Sequence, residues 1–190
     1  MNFFKIDDFD SADGPGIRVG LYVSGCTHKC KGCHSSNYWD FNSGEEFTKN
    51  HISQLEDALE KDYIEGLSIL GGDPLEIKNI HQVAYIIKEC KRFYEITHDK
   101  PLNIWLWTGS IFENLCLLFV EDSHVTEYID DLKYILNNID VLVDGPFIEE
   151  KKDLNIAFRG STNQRLIDMR KTLENKRVIL LNIKENMKRG

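Results

Sequence analysis

The sequence lacks both a long hydrophobic run and a segment typical of export. Its most apolar stretch, residues 115–120, is far shorter than the roughly 20 residues that cross a bilayer. The N-terminus passes directly into Asp7, Asp8 and Asp10, with neither the basic region nor the apolar core of a signal peptide. We therefore expect neither secretion nor a membrane anchor.

Prolines are few, and basic residues are outnumbered by acidic ones. Four prolines and a hydrophobic content of 42% exclude a disordered or collagen-like chain. Lys and Arg number 23 against 31 Asp and Glu, a net charge of -8, which disfavours nucleic acid and anionic membranes as partners. The basic cluster of Lys184, Lys188 and Arg189 is interrupted by Glu185, and we interpret it as a solvated tail. At 190 residues, the chain is predicted to form a single domain, residues 1–190.

Cysteine is too scarce for a disulfide framework. The chain has five cysteines, an odd number, and no export signal. Such a pattern is typical of thiols kept reduced inside a cell. We therefore expect a cytoplasmic protein.

What the sequence does contain is an alternation of short apolar runs with amphipathic segments. Strands are predicted at residues 17–23, 67–70, 104–107, 141–143 and 178–183, and the first of them is stopped by Gly25. Helices are predicted from the N-cap Thr48 to about Asp62, over residues 80–90, over residues 111–120 and over residues 128–136. Near-continuous apolar strands joined by helices predict an α/β protein with a parallel sheet covered by helices.

Glycines directly follow four of the predicted strands. They are Gly25, the pair Gly71 and Gly72, Gly109, and Gly145. The carboxyl ends of parallel strands share one edge of the sheet, which is where α/β proteins bind ligands, and glycine lets backbone approach a ligand closely. The pattern predicts a binding site at this edge.

Three cysteines with the spacing C-x3-C-x2-C, namely Cys26, Cys30 and Cys33, follow the strand at residues 17–23. Crowded thiolates select iron-sulfur clusters, zinc or copper(I). The residues between them are polar, so an inert apolar cluster of cysteines is disfavoured. Two candidates stay open: a cluster that leaves one iron without a protein ligand, and a zinc site completed by His28 or His34.

Seven stretches, taken together and in order, carry a resemblance to a known family. They lie at residues 13–18, 23–26, 26–33 with the three cysteines, 70–75 (LGGDPL), 105–109 (WLWTG), 141–145 (VLVDG) and 158–165 (FRGSTNQR). This ordered set resembles the radical S-adenosylmethionine superfamily and, within it, the organic radical-activating enzymes that serve anaerobic ribonucleoside-triphosphate reductases.

The resemblance implies a fold and a chemistry. The fold would be an incomplete (βα) barrel, a curved and mostly parallel sheet with helices on its outer face. Cys26, Cys30 and Cys33 would hold a 4Fe-4S cluster whose open iron binds S-adenosylmethionine. An electron from the reduced cluster would cleave the cofactor to methionine and a 5'-deoxyadenosyl radical, which would take a hydrogen from a glycine of the large reductase subunit. A reducing electron donor is implied as a second partner.

The resemblance also assigns cofactor-binding positions. Gly71 and Gly72 would meet the methionine amino group, and Gly32, Cys33 and His34 would lie along the adenine. Relatives often carry an aromatic residue where this chain has Gly32 or His34, so an imidazole would have to replace that stacking. No side chain beyond the cluster and the cofactor is predicted to be catalytic.

Alternatives and structural roles complete the predictions. The competing functions are a pyruvate formate-lyase activase, a deazaguanine synthase, or a zinc-binding module without catalysis. Asp73 is interpreted as a turn residue and Asp144 as a hydrogen-bonding residue at a strand end. Residues 159–165 are expected to form a polar loop, and Cys90 and Cys116 to be small buried hydrophobic residues.

Overall fold

The structure is a computed structural model that describes residues 1–119 and 126–183. Its strands are β1 (Asn2–Asp10), β2 (Ile17–Val23), β3 (Glu45–Glu46), β4 (Ile64–Gly71), β5 (Ile104–Trp107), β6 (Val141–Asp144) and β7 (Arg165–Asp168). Its helices are α1 (Lys49–Leu59), α2 (Ile80–His98), α3 (Phe112–Leu117), α4 (Thr126–Asn138) and α5 (Met169–Asn175). The predicted α/β class is confirmed.

The strands of the described residues form one mixed sheet in the order β3-β1-β2-β4-β5-β6-β7. The four central strands, β2, β4, β5 and β6, run parallel, while β1, β3 and β7 pair antiparallel at the two sides. One row across the parallel strands aligns Leu21, Ile69, Leu106 and Leu142. The predicted parallel arrangement therefore holds at the centre of the sheet.

That row faces the main hydrophobic core, which helices α1, α2 and α4 cover. Leu55, Val83, Ile87 and Leu132 are fully buried against it. Each such side chain contributes about 1.5–3 kcal/mol of burial free energy. The opposite side of the sheet, here called the inner face, carries a smaller cluster of Trp105, Val141, Val143, Phe158 and Leu166. The sheet thus has one helix-covered face and one face closed mainly by loops.

Helix α1 begins where the sequence predicted. Thr48 is its N-cap, and the Thr48 N–H donates to Nδ1 of His51 at 2.9 Å. Thr48 and His51 thus form a capping box, in which the imidazole replaces the usual Glu or Gln side chain. The helix ends at Leu59, a few residues before the predicted end.

Two parts of the predicted strand set are wrong. Residues 178–183 do not form a strand: Leu180 makes one isolated antiparallel bridge to Ile167, while Leu181 and Ile183 pack on the inner face. The last strand is instead β7, within a segment too polar to read as a strand. Strands β1 and β3 were also not predicted, because Asp7, Asp8 and Asp10 hide the β1 pattern.

Some predicted features lie outside the described residues. These are the end of the third predicted helix at Val120 and the basic cluster of Lys184, Lys188 and Arg189. Within the described ranges, no helix has the length and apolarity needed to cross a membrane.

Candidate functional site

The glycines predicted to share an edge do meet at the carboxyl ends of the parallel strands. The Gly72 N–H donates to the Val23 carbonyl at 2.7 Å, and the Asp73 N–H donates to the Gly25 carbonyl at 2.8 Å. On the other side, the Gly145 N–H donates to the Ser110 carbonyl at 2.9 Å. The turn after β4 therefore contacts the end of β2 directly.

The three predicted metal ligands lie on one loop at this edge, residues 24–33, here called the cysteine loop. Its start is anchored by backbone hydrogen bonds from Gly25 to Tyr38 at 2.7 Å and from Cys26 to Trp39 at 3.1 Å. Its far end is folded by a hydrogen bond from the Cys33 N–H to the Cys30 carbonyl at 3.1 Å. Cys26, Cys30 and Cys33 are free thiols and partly exposed.

The surroundings of the thiols act on their ionisation in opposite directions. Burial, followed by the charge of Asp73, raises the pKa of Cys26 to about 11, while the N–H groups of His28 and Lys29 favour its thiolate. Burial also raises the pKa of Cys30, and the N–H of Phe147 opposes this rise. Backbone N–H groups near Cys26 and Cys30 thus oppose the effect of burial and favour the thiolate form that a metal would require.

The remaining two cysteines lie on helices rather than on this loop. Cys90 is fully buried in the core on α2, as predicted. Cys116 lies on α3 and is partly rather than fully buried. Three thiols is the number that leaves a fourth iron of a 4Fe-4S cluster free, so the donor set fits such a cluster.

A zinc site would take its fourth ligand from His28 or His34. Across residues 1–119 and 126–183, no three His, Cys, Asp or Glu side chains are grouped so that they could hold one ion. His28 instead bonds through Nε2 to Asp73, and His34 is exposed.

The glycines predicted to line the cofactor are at points of close approach. A Cβ on Gly72 would overlap the Gly25 carbonyl oxygen, and one on Gly71 would lie 2.6 Å from the Val23 carbonyl oxygen. Gly32 has a φ of 72°, and a Cβ there would lie 2.7 Å from a carboxylate oxygen of Glu149. Glycine is required at these positions by the packing of backbone on backbone or by the left-handed turn.

Asp73 has a larger role than the turn residue expected from the sequence. Its Oδ1 does accept the Leu75 N–H at 2.9 Å, as a turn residue would. Its Oδ2 also accepts from Thr108 Oγ1 at 3.0 Å and from the Gly109 N–H at 2.9 Å, and the side chain is 2% exposed. No sequence signal pointed to these contacts, because Thr108 lies 35 positions away.

Asp144 is confirmed as a hydrogen-bonding residue at a strand end. It accepts the Phe112 N–H at 2.8 Å and a two-point contact from the Arg165 guanidinium. The loop of residues 159–164 is held to the same edge, because Gln164 Nε2 donates to the Gly145 carbonyl at 3.1 Å. Arg159 donates to the Gln164 carbonyl at 3.1 Å.

A cavity of about 370 Å³ adjoins the cysteine loop. Its polar lining includes Thr27, His28, Asp73 and Glu76, and the Tyr128 hydroxyl at its side donates to the Leu75 carbonyl at 3.1 Å. The hydrogen bond with Asp73, partly offset by burial, raises the pKa of His28. The cysteine loop and the turn after β4 thus both contribute polar side chains to the wall of this cavity.

The parallel sheet and the three-cysteine loop at its edge are features of an iron-sulfur protein. Comparison with known proteins supports this class. A family model described as a 4Fe-4S single cluster domain matches residues 12–167. Curated relatives identify the family more specifically. A protein of Enterobacteria phage T4 is 38% identical over 167 residues, covering 87% of this chain and 93% of the relative. Proteins of Vibrio cholerae and Escherichia coli K12 are 36% and 32% identical over 166 residues, each covering 86% of this chain and 96% of the relative.

All three relatives are named anaerobic ribonucleoside-triphosphate reductase-activating protein. Because the identity exceeds 30% over most of both chains, this chain belongs to the family of anaerobic ribonucleoside-triphosphate reductase-activating proteins.

Proposed function

We propose that this protein activates an anaerobic ribonucleoside-triphosphate reductase by generating a glycyl radical on its large subunit. The observation that carries the proposal is the loop with three free cysteines at the carboxyl edge of the parallel strands, in direct backbone contact with the turn at Gly72. Membership of the reductase-activating family supports the choice of target. The source of electrons is a separate reducing partner.

Cys26, Cys30 and Cys33 are the proposed ligands of a 4Fe-4S cluster, which leaves one iron for S-adenosylmethionine. When bound, the cluster supplies the electron that cleaves S-adenosylmethionine to methionine and a 5'-deoxyadenosyl radical. The chain itself would contribute thiolate ligands and N–H donors to the sulfur atoms of Cys26 and Cys30.

The turn at Gly71 and Gly72 is proposed to receive the methionine end of the cofactor. Its lack of side chains lets the backbone lie against β2, which places backbone polar groups rather than methyl groups beside the cysteine loop. Gly32, Cys33 and His34 are proposed to lie along the adenine, and the exposed His34 ring is free of any described hydrogen bond that would prevent this.

A protein substrate suits the proposed architecture. We infer a single domain over residues 1–190, in which the sheet curves as an incomplete (βα) barrel with helices on its outer face. All the described strands belong to this one sheet, so the described residues contain no second sheet that could form a domain dedicated to a small substrate. The setting proposed is the cytoplasm, with no nucleic acid or membrane as partner.

The test is reductive cleavage of S-adenosylmethionine. Protein loaded anaerobically with iron and sulfide, then reduced, should form 5'-deoxyadenosine, which chromatography quantifies. Cys30→Ala should abolish this product, since it removes a cluster ligand. Cys116→Ser is the matched control, because it removes a partly exposed thiol on α3 and should retain iron, sulfide and product.

Each competing function predicts a different experimental result. One zinc and no sulfide in anaerobically purified protein would overturn the cluster proposal in favour of a zinc module. Product formation with turnover of a small molecule in the absence of any partner protein would favour a deazaguanine synthase. Radical transfer to pyruvate formate-lyase but not to the reductase would favour the other activase.

A further inference from the structure

Two side chains tie the cysteine loop to the turn after β4. His28 lies between two of the proposed ligands, and its Nε2 lies 3.1 Å from Oδ2 of Asp73. The two residues are 45 positions apart in the chain, so the parallel pairing of β2 with β4 is what brings them together. A hydrogen bond to a carboxylate is among the stronger side-chain interactions available.

Asp73 is held rigidly on its own side of this bond. It is 2% exposed, and three further donors fix its two oxygens: the N–H groups of Leu75 and Gly109, and the Thr108 hydroxyl. A carboxylate with this many fixed donors has one orientation. His28 therefore bonds to an acceptor that is already positioned by the ends of β4 and β5.

The His28 ring occupies the space that a side chain at position 109 would fill. A Cβ on Gly109 would lie 2.6 Å from Cδ2 of His28, well inside contact distance. The imidazole thus lies flat against the backbone that follows β5, where it occupies the space a side chain would take. The ring is confined by the Gly109 backbone in addition to its hydrogen bond.

A second contact runs parallel to the first. The Glu76 carboxylate accepts from the Thr27 N–H at 2.5 Å and from the Thr27 hydroxyl at 2.6 Å. Thr27 and His28 are adjacent in the cysteine loop, and Asp73 and Glu76 belong to one turn. The first half of the cysteine loop, between Cys26 and Cys30, is therefore fastened to the turn that begins with Gly71 and Gly72.

From this geometry we propose that His28 and Asp73 are positioning residues that hold the cysteine loop in register with the turn at Gly71 and Gly72. The inference rests on the proposed function, in which the loop carries the cluster and the turn receives the methionine end of S-adenosylmethionine. Neither side chain needs to touch the cofactor. Their hydrogen bond sets the distance between the two elements that do.

The test separates cluster assembly from cofactor binding. His28→Gln retains a nitrogen donor at the reach of Nε2, whereas His28→Asn carries the same amide one carbon shorter. Both variants are loaded with iron and sulfide, and S-adenosylmethionine binding to the oxidised protein is measured anaerobically by calorimetry, so that no cleavage occurs. The change in the electron paramagnetic resonance spectrum of the reduced cluster on adding S-adenosylmethionine is the second readout.

We expect His28→Asn to keep the wild-type content of iron and sulfide but to bind S-adenosylmethionine roughly tenfold more weakly, as loss of one charge-assisted hydrogen bond implies. His28→Gln should bind within roughly threefold of wild type and restore the spectral change. Equal binding by wild type and His28→Asn, or equal losses in Asn and Gln, would overturn the inference while leaving the proposed function intact. Failure of the cluster-loaded wild type to bind S-adenosylmethionine would overturn both.

Discussion

The Arg18 guanidinium lies inside the protein, on the inner face of β2, with 1% of the residue exposed. Its Nε donates to Ser68 Oγ at 2.7 Å, and Nη2 donates to the Leu67 carbonyl at 2.9 Å. Nη1 donates to Asn103 Oδ1 at 3.1 Å. Burial lowers the pKa of Arg18 to about 10, so the side chain is still charged at neutral pH. One residue thereby joins β2, β4 and the segment before β5.

Replacing Arg18 should therefore destabilise the fold. Arg18→Met removes the donors to buried acceptors on β4 and in the segment before β5, and we expect a loss of about 3 kcal/mol in the free energy of unfolding. Urea unfolding followed by circular dichroism measures it. Arg18→Lys, which keeps the charge but not the planar fork, should lose less. A midpoint for Arg18→Met equal to that of wild type would show that the buried network contributes nothing.

At Gly72, the backbone of the turn after β4 lies directly against Gly25 of the cysteine loop. Gly72→Ala forces a Cβ into the Gly25 carbonyl, so the turn must move away from the loop. We predict that the variant retains the cluster but binds S-adenosylmethionine at least tenfold more weakly, since its backbone can no longer lie against β2. Gly160→Ala, where a Cβ would meet the Phe147 ring at 3.0 Å, is a control away from this contact. Unchanged binding by Gly72→Ala would argue against the assigned role of the turn.

Elements β6, β7 and α3 are joined by an ion-pair network centred on Arg165. The guanidinium contacts the Asp144 carboxylate, which is 1% exposed on β6, and the exposed Glu113 on α3. The hydrogen bonds with Asp144 and Glu113 raise the pKa of Arg165. Hydrogen bonding with Arg165 also lowers the pKa of Glu113 below its ordinary 4.5.

The two carboxylates should differ in their contribution to stability. Asp144→Asn weakens a buried pair and is expected to cost about 3 kcal/mol. Glu113→Gln, at the solvent-exposed end, should cost less than about 1 kcal/mol. The Glu113 contribution should be present above pH 4.5 and fall away as the pH drops through its lowered pKa. Urea midpoints of both variants at pH 7 and pH 3.5 measure these effects. Equal losses of stability in Asp144→Asn and Glu113→Gln would contradict the view that the buried carboxylate contributes more.

The sequence predicted those elements whose hydrophobic pattern reflects their burial. Strand β2 shows an alternating pattern, β4, β5 and β6 show short apolar runs, and the helices that cover them show amphipathic spacing. Strand β1 was not predicted because an antiparallel strand beside solvent accepts acidic residues. Residues 178–183 were assigned to a strand because an apolar run signals burial and not pairing, and Leu181 and Ile183 are in fact partly buried.

For the candidate site, too, the sequence predicted only the features that depend on local spacing. The spacing of Cys26, Cys30 and Cys33 is local, so it was visible in the sequence. The bond between His28 and Asp73 depends on the register of β2 against β4, which no local pattern encodes. The sequence therefore indicates the proposed ligands but not the contacts that hold their loop in place.

At the scale of the whole molecule, the hydrophobic core lies apart from the cysteine loop. The core is built from the helix-covered face of the sheet, and it includes none of the three proposed ligands. We predict that chelating the iron leaves the far-ultraviolet circular dichroism spectrum unchanged and increases proteolysis confined to the cysteine loop. Loss of helical signal on chelation would mean that the cluster, rather than the core, maintains the fold.

The central claim is that this chain places a radical on its reductase. The most direct measurement is electron paramagnetic resonance of the reductase large subunit after anaerobic incubation with reduced, cluster-loaded protein and S-adenosylmethionine. We predict a glycyl-radical signal with wild type, none with Cys30→Ala, and a wild-type signal with Cys116→Ser. An intact reduced cluster that yields no radical on the reductase would contradict the account.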